Sequence, residues 1–179
     1  MSTVPAVAIF ITGVLVTMVT GELLMRKLGV RLELSRKTFH LLAGTICIVM
    51  SLIAAESLAI TIVGALFVVG MPLTMWLGWF KIQSRKRGFG TMTFSLGLVV
   101  LSLWFWEPRV LIITAMVILT YADGFAAVVG SLFGKRKYQV GHVVKSLEGS
   151  ITFFLVALVG VAVTLSIYQT GPISDILLI

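Results

Sequence analysis

Runs of about 20 apolar residues recur six times in this chain, and that pattern constrains its fold more than any other feature. They cover Val4 to Leu24, Thr38 to Ala55, Ser57 to Phe80, Thr91 to Trp106, Val110 to Phe133 and Ser150 to Tyr168. In hydrocarbon every backbone N–H and C=O must be satisfied within the segment, so such runs cross a bilayer as helices. With 59% hydrophobic and 12% charged residues and a mean hydropathy of +1.11, soluble packing cannot hide this much apolar surface. The expected fold is all-α: a polytopic integral membrane protein of about six transmembrane helices, with residues 1–179 forming one membrane domain. The first run has no basic residues before it and no small-residue cleavage site, so it reads as a retained helix and not a signal peptide. The single cysteine, Cys47, lies inside an apolar run, can form no internal disulfide and reads as packing.

A net charge of +7 raises the question of nucleic acid, but placement answers it. The loop after span one carries Arg26, Lys27, Arg31, Arg36 and Lys37. The loop after span three carries Lys81, Arg85, Lys86 and Arg87, and the loop after span five Lys135, Arg136, Lys137 and Lys145. Thirteen of the fourteen basic residues thus fall on one side, with only Arg109 opposite. By the positive-inside rule loops one, three and five are expected in the cytosol and both termini outside, in a cytoplasmic (inner) membrane. Such clusters also touch anionic headgroups, and no nucleic-acid partner is implied. Trp76, Trp79, Trp104 and Trp106 sit near span ends and read as interface anchors.

Four stretches exceed what anchoring needs. Span two opens Ser35-Arg36-Lys37-Thr38-Phe39-His40, where helical spacing puts Arg36, His40 and Gly44 on one face with Lys37 beside it. Loop three ends Arg87-Gly88-Phe89-Gly90-Thr91, a glycine turn entering a helix whose free N–H groups and dipole favour an anion. No Walker sequence is present: Gly130 to Arg136 has the wrong spacing and lacks the Ser/Thr that reaches magnesium. Span five buries Asp123 in Thr120-Tyr121-Ala122-Asp123-Gly124, about 15 Å from the span's end at Phe133 if the helix is continuous. A carboxylate there needs a wet cleft, a cation or a helix break, and Gly124 is the expected place for one. Loop five ends Lys145-Ser146-Leu147-Glu148-Gly149-Ser150, which reads either as a capped helix start with a Lys145–Glu148 ion pair or as a second carboxylate for a hard metal.

In order along the chain, Arg36-Lys37-x-x-His40, Gly88-Phe89-Gly90-Thr91, Asp123-Gly124-x-Ala126 with Gly130 and Gly134, and Lys145-Ser146-x-Glu148-Gly149-Ser150 resemble the dolichol kinase, phytol kinase and CTP-dependent diacylglycerol kinase family. The resemblance runs from about Ser35 to Ser150. It implies an integral membrane kinase that moves the γ-phosphoryl group of CTP to the hydroxyl of an isoprenoid alcohol or diacylglycerol. The family's Arg-Lys pair falls on Arg36 and Lys37, its aspartate on Asp123, its glycine on Gly130 and its Lys-Ser-x-Glu-Gly-Ser element on Lys145 to Ser150. Relatives continue with further apolar segments and a late acidic element where this sequence ends Gly171 to Ile179, which leaves the acceptor open.

On this reading Asp123 and Glu148 hold Mg²⁺ against the phosphates, and Arg36, Lys37 and Lys145 neutralise their oxygens. Gly88, Gly90, Thr91, Gly130 and Ser146 complete the nucleotide site. Asp123 is the first candidate for the base that takes the hydroxyl proton, and His40 the second. Two other functions remain open on the residues: cytidylyl transfer yielding a CDP-lipid, and a small transporter with Asp123 as an ion site. The second expects a paired repeat, which the sequence lacks.

Overall fold

The protein is represented by a computed structural model that describes residues 2–28, 32–77, 89–141 and 143–170. Within these helices the side chains of 24–26, 28, 32–34, 71, 75, 89–92 and 170 fall outside the description. The described residues form a helical bundle with one small hairpin. α1 is Thr3–Leu28, α2 Leu32–Ile53, α3 Ser57–Trp76 and α4 Phe89–Trp104. α5 (Arg109–Val117) runs through a π-helical turn (Ile118–Ala122) into α6 (Asp123–Phe133), and α7 is Leu147–Thr170. Strands β1 (Lys137–Val140) and β2 (Val143–Ser146) join α6 to α7. Five segments are long and apolar enough to cross a membrane: Thr3–Leu23, Ser35–Ile53, Ser57–Thr74, Arg109–Phe133 and Leu147–Gln169. A sixth apolar helix, Thr93–Trp104, is shorter.

The element boundaries depart from the sequence expectation where polar residues continue a helix. α2 begins at Leu32, so Arg36 and Lys37 stand on helix, not loop, and α7 begins at Leu147 and not at Ser150. A membrane helix does not stop where its apolar run stops, because its polar last turns lie in the headgroup region.

Without a hydrophobic force between helices in lipid, the bundle holds by close packing at small residues and by polar links. α1 and α2 form one hairpin, and a Cβ on Gly13 would stand 3.3 Å from Ile46 Cδ1. α3 and α4 form a second, where a Cβ on Gly64 would come within 2.7 Å of Val99 Cγ2, and Thr61 Oγ1 lies 2.8 Å from Ser102 Oγ. α6 and α7 meet through Gly130 and Gly149. The core between them is built on Phe10, Val14, Ile60, Val63, Ile112 and Met116. At the end of the bundle away from the hairpin, Thr3 Oγ1 donates to Glu56 (2.8 Å), and Arg109 donates to the Ala55 carbonyl (3.2 Å) while lying 4.8 Å over the Trp106 ring. Trp76 and Trp104 are exposed at their helix ends, as interface anchors should be, whereas Trp106 packs against the core.

Candidate active site

Span five is not broken at Gly124; it is underwound into a π turn just before Asp123. The Asp123 amide, which in a regular α-helix would bond the Leu119 carbonyl, reaches the carbonyls of Ile118 and Thr120 instead. The Leu119 oxygen escapes its α partner and accepts from His40 Nε2 at 2.9 Å. A carbonyl cannot donate, so the Nε2 of His40 carries a proton, and in the neutral ring the lone pair sits on Nδ1. Two further features seat α2 against the turn. Gly44 leaves the space that Thr120 fills, and a Cβ there would overlap the Thr120 side chain. Thr45 Oγ1 donates to the Leu41 carbonyl (2.7 Å) and so accepts from the Tyr121 hydroxyl (3.0 Å).

This seating brings α2 and α6 together around one carboxylate. Lys37 Nζ lies 3.6 Å from Asp123 Oδ2, and His40 Nε2 lies 3.8 Å from the same oxygen. The Asp123 side chain is 55% exposed, that of Lys37 16% and that of His40 24%. The carboxylate is thus accessible, with its two partners packed behind it. The His40 ring packs edge-on against Phe94 of α4, centroids 5.2 Å apart, so a third helix closes the apolar side.

A second group assembles at the α6–α7 junction. A Cβ on Gly149 would stand 2.8 Å from the Ala126 carbonyl oxygen and 3.2 Å from Gly130 Cα, so the two backbones touch. Ser146 is the N-cap of α7: its Oγ accepts the Gly149 amide at 3.1 Å. The antiparallel hairpin pairs Lys137 with Ser146 and Tyr138 with Lys145, turning at Gly141 with φ 58°, a conformation glycine adopts without strain. The Leu147 amide donates to the Arg136 carbonyl (2.9 Å), and the Glu148 carboxylate accepts the Arg136 amide (3.2 Å). No ion pair joins Lys145 to Glu148, because Lys145 is held in the strand ladder and Glu148 is turned to the Arg136 backbone.

The structure therefore brings together Lys37, His40 and Asp123, and separately Gly130, Gly134, Ser146 and Gly149. Asp123 and Glu148 have different partners and do not bond each other. Among the described residues no group of three or more His, Cys, Asp or Glu converges as an all-protein metal cage. Magnesium, which keeps waters and substrate phosphates and takes only one or two carboxylates, fits an accessible Asp123 better than such a cage. Arg36 lies one position from Lys37 on α2, and Gly90 lies in the first turn of α4. Gly88 and the side-chain position of Thr91 lie outside the described residues. Sequence reading missed two features. Alternation through Lys137-Tyr138-Gln139-Val140 and Val143-Val144-Lys145-Ser146 across Gly141-His142 is a hairpin signal. A carboxylate in the first apolar run, Glu22, is buried at 6% exposure.

The sequence is 30% identical, over 166 residues, to the phytol kinase of the cyanobacterium Synechocystis sp., a match that covers 90% of this chain and 71% of that protein. The chain belongs to the phytol kinase family. Family membership carries the enzyme class, a phosphotransferase with an alcohol group as acceptor. No protein-family model matches the sequence, and no solved structure matches the fold.

Proposed function

We propose that the protein is a CTP-dependent lipid alcohol kinase that phosphorylates an isoprenoid alcohol, of the phytol type before dolichol, polyprenol or diacylglycerol, at the cytosolic face of the membrane. The observation that carries this reading is the accessible Asp123 carboxylate with Lys37 and His40 packed against it in an otherwise apolar span. Phosphoryl transfer is catalysed mainly by positioning and by charge stabilisation, and the cluster supplies both signs of charge at one place. Lys37, with Arg36 beside it and Lys145 on the hairpin, would neutralise the polyphosphate oxygens. The amides of the Gly88–Thr91 segment and the glycine surface of Gly130, with Ser146, would lie against the nucleotide. Asp123 would hold Mg²⁺, which when bound offsets the negative charge of the transferring phosphoryl group, while Glu148, expected from the sequence as a second ligand, is turned to the Arg136 amide beyond the far end of α6. The acceptor hydroxyl arrives laterally with its tail still in hydrocarbon. Its proton passes to Asp123, or to the lone pair of His40 at Nδ1, the ring nitrogen that the Leu119 carbonyl leaves open. The cytosolic location follows from the basic bias of loops one, three and five.

The test is a panel of nucleotides and acceptors on purified protein with Mg²⁺, with products identified by mass. A phosphorylated alcohol with CDP supports the reading. Pyrophosphate with a CDP-lipid makes the protein a cytidylyltransferase, and no transfer to any alcohol overturns the proposal.

A further inference from the structure

Glycines inside this bundle are notches that a neighbour fills: a Cβ on Gly13, Gly44, Gly64, Gly124 or Gly160 would press on Ile46, Thr120, Val99, Leu41 or Val117. Gly97 of α4 is different, because a Cβ there would meet nothing within 4 Å. Its direction follows from the contacts of its own helix. Phe94 turns to His40 of α2, while Val99 and Ser102 meet Gly64 and Thr61 of α3. On a regular helix Val99 and Ser102 stand about 140° and 80° to one side of Phe94, and Gly97 about 60° to the other. Gly97 therefore borders the α2 contact on the edge of α4 away from α3.

The contacts of α2 set which helix lies off that edge. Ile46, which faces α1, is about 120° from His40 in one sense, whereas Gly44, Lys37 and Leu41, which face the π turn and α6, are about 40–100° from it in the other. α3 sits on the α1 side, with Phe67 edge-on to Phe10, centroids 6.4 Å apart. Gly97 thus looks across the front of His40 toward α6, into the space that the half-exposed Asp123 enters from the opposite wall. Its depth is fixed as well. α2 and α4 both end beside Arg109, which bonds the Ala55 carbonyl and lies over the Trp106 ring, so the two helices run the same way. Gly97 is about 4.5 Å nearer that end than Phe94, which puts the notch on the membrane-interior side of the His40–Asp123 level.

We propose that Gly97 is a specificity-determining residue for the acceptor: the notch it leaves in α4 seats the methyl-branched tail of an isoprenoid alcohol whose hydroxyl lies at Asp123. The proposal rests on the kinase reading above. A hydroxyl at Asp123 with its tail in hydrocarbon sends the first carbons of that tail toward the bilayer interior, along the groove walled by Phe94 and Gly97 on one side and α6 on the other. A straight chain passes a flat wall as well as a notched one, whereas a chain with methyl branches needs room for them.

The experiment compares phytol with hexadecanol, a branched and a straight alcohol of equal main-chain length, as acceptors for wild type, Gly97→Ala, Gly97→Leu and Leu96→Phe. Leu96 is exposed on the face of α4 turned away from Phe94, so its variant controls for a change at the lipid surface. Gly97→Leu is expected to lower kcat/KM for phytol relative to hexadecanol by about 10-fold, the low end of what an added carbon does in an apolar pocket. Gly97→Ala should fall between it and wild type, with KM for nucleotide unchanged and Leu96→Phe like wild type. An unchanged ratio in Gly97→Leu, or an equal fall in Leu96→Phe, overturns the proposal. A second arm needs neither turnover nor a variant: wild-type protein in detergent is photolabelled with a diazirine-bearing phytol, and the labelled peptides are identified by mass. Label on α4 around Gly97 that excess phytol removes and excess hexadecanol leaves supports the groove. Label that both alcohols or neither removes, or that falls only on other helices, overturns it. If wild-type protein transfers phosphate to no alcohol, the kinase reading fails while the second arm still decides whether the notch takes the branched chain.

Discussion

Replacing Asp123 by Asn separates catalysis from folding, because the geometry makes the ion pair weak and the reaction dependent on it. Lys37 Nζ stands 3.6 Å from Asp123 Oδ2, beyond an ordinary charged hydrogen bond, and the carboxylate is 55% exposed. Two unit charges at that separation attract by roughly 1 kcal/mol in a water-like dielectric, and exposed pairs contribute about 0.2–1 kcal/mol. Asn keeps the shape, so the loss of stability is about 1 kcal/mol at most. For a chain of this size that lowers Tm by about 2–4 °C. Turnover, in contrast, loses a group that meets developing charge at the reacting centre, and such groups contribute about 100-fold or more. The assay is transfer of label from γ-labelled nucleotide to a lipid alcohol, with Tm measured on the same preparation. A variant that folds and turns over near the wild-type rate would remove Asp123 from the reaction. A variant whose Tm collapses would make the carboxylate a structural anchor.

Four further outcomes are expected. Gly149→Ala places a Cβ 2.8 Å from the Ala126 carbonyl, a backbone atom that cannot swing aside, and should cost about 1–3 kcal/mol. Gly97→Ala in α4 meets nothing within 4 Å and should be neutral or stabilising by up to about 1 kcal/mol, so thermal unfolding lowers Tm for Gly149→Ala but not for Gly97→Ala. Ser146→Ala removes the α7 cap and should cost about 1 kcal/mol, with faster hydrogen exchange at the Gly149 amide as its local signature. Nitrogen NMR of labelled histidine should show the neutral His40 ring protonated at Nε2; protonation at Nδ1 instead would contradict the bond to Leu119.

Much of the architecture was legible because the bilayer imposes it. The apolar runs located the helices, and the face shared by His40 and Gly44 emerged as the surface that α2 presents to span five. The pairing of Asp123 with Lys37 was partly legible: the sequence asked for a wet cleft, a cation or a helix break at the carboxylate, and helix rotation selected Lys37 as the cation. The hairpin was passed over because two four-residue strands give a weak periodic signal next to apolar runs of about 20. Glu22 was passed over because a single carboxylate near the end of an apolar run reads as a boundary residue until burial is known.

The π turn was beyond any reading that assumes 3.6 residues per turn, and it decides the site. On a regular helix Asp123 is seven residues after Met116, within about 20° of it. Met116 and Ile112 are fully buried, so an unbroken α-helix would point the carboxylate at the apolar core. The extra residue in Ile118–Ala122 turns everything after it by about a quarter turn relative to that stripe. Thr120 then fills the notch at Gly44, the Leu119 carbonyl becomes available to His40, and Asp123 emerges half-exposed beside Lys37. One local irregularity thus exposes the acid, orients the histidine and docks α2. A glycine break at position 124 would have exposed the carboxylate as well, but it would have left the His40 tautomer and the α2 seating unfixed. The regular α-helix from Asp123 to Phe133 then carries Gly130 rigidly to α7, so the two clusters are held on one continuous element.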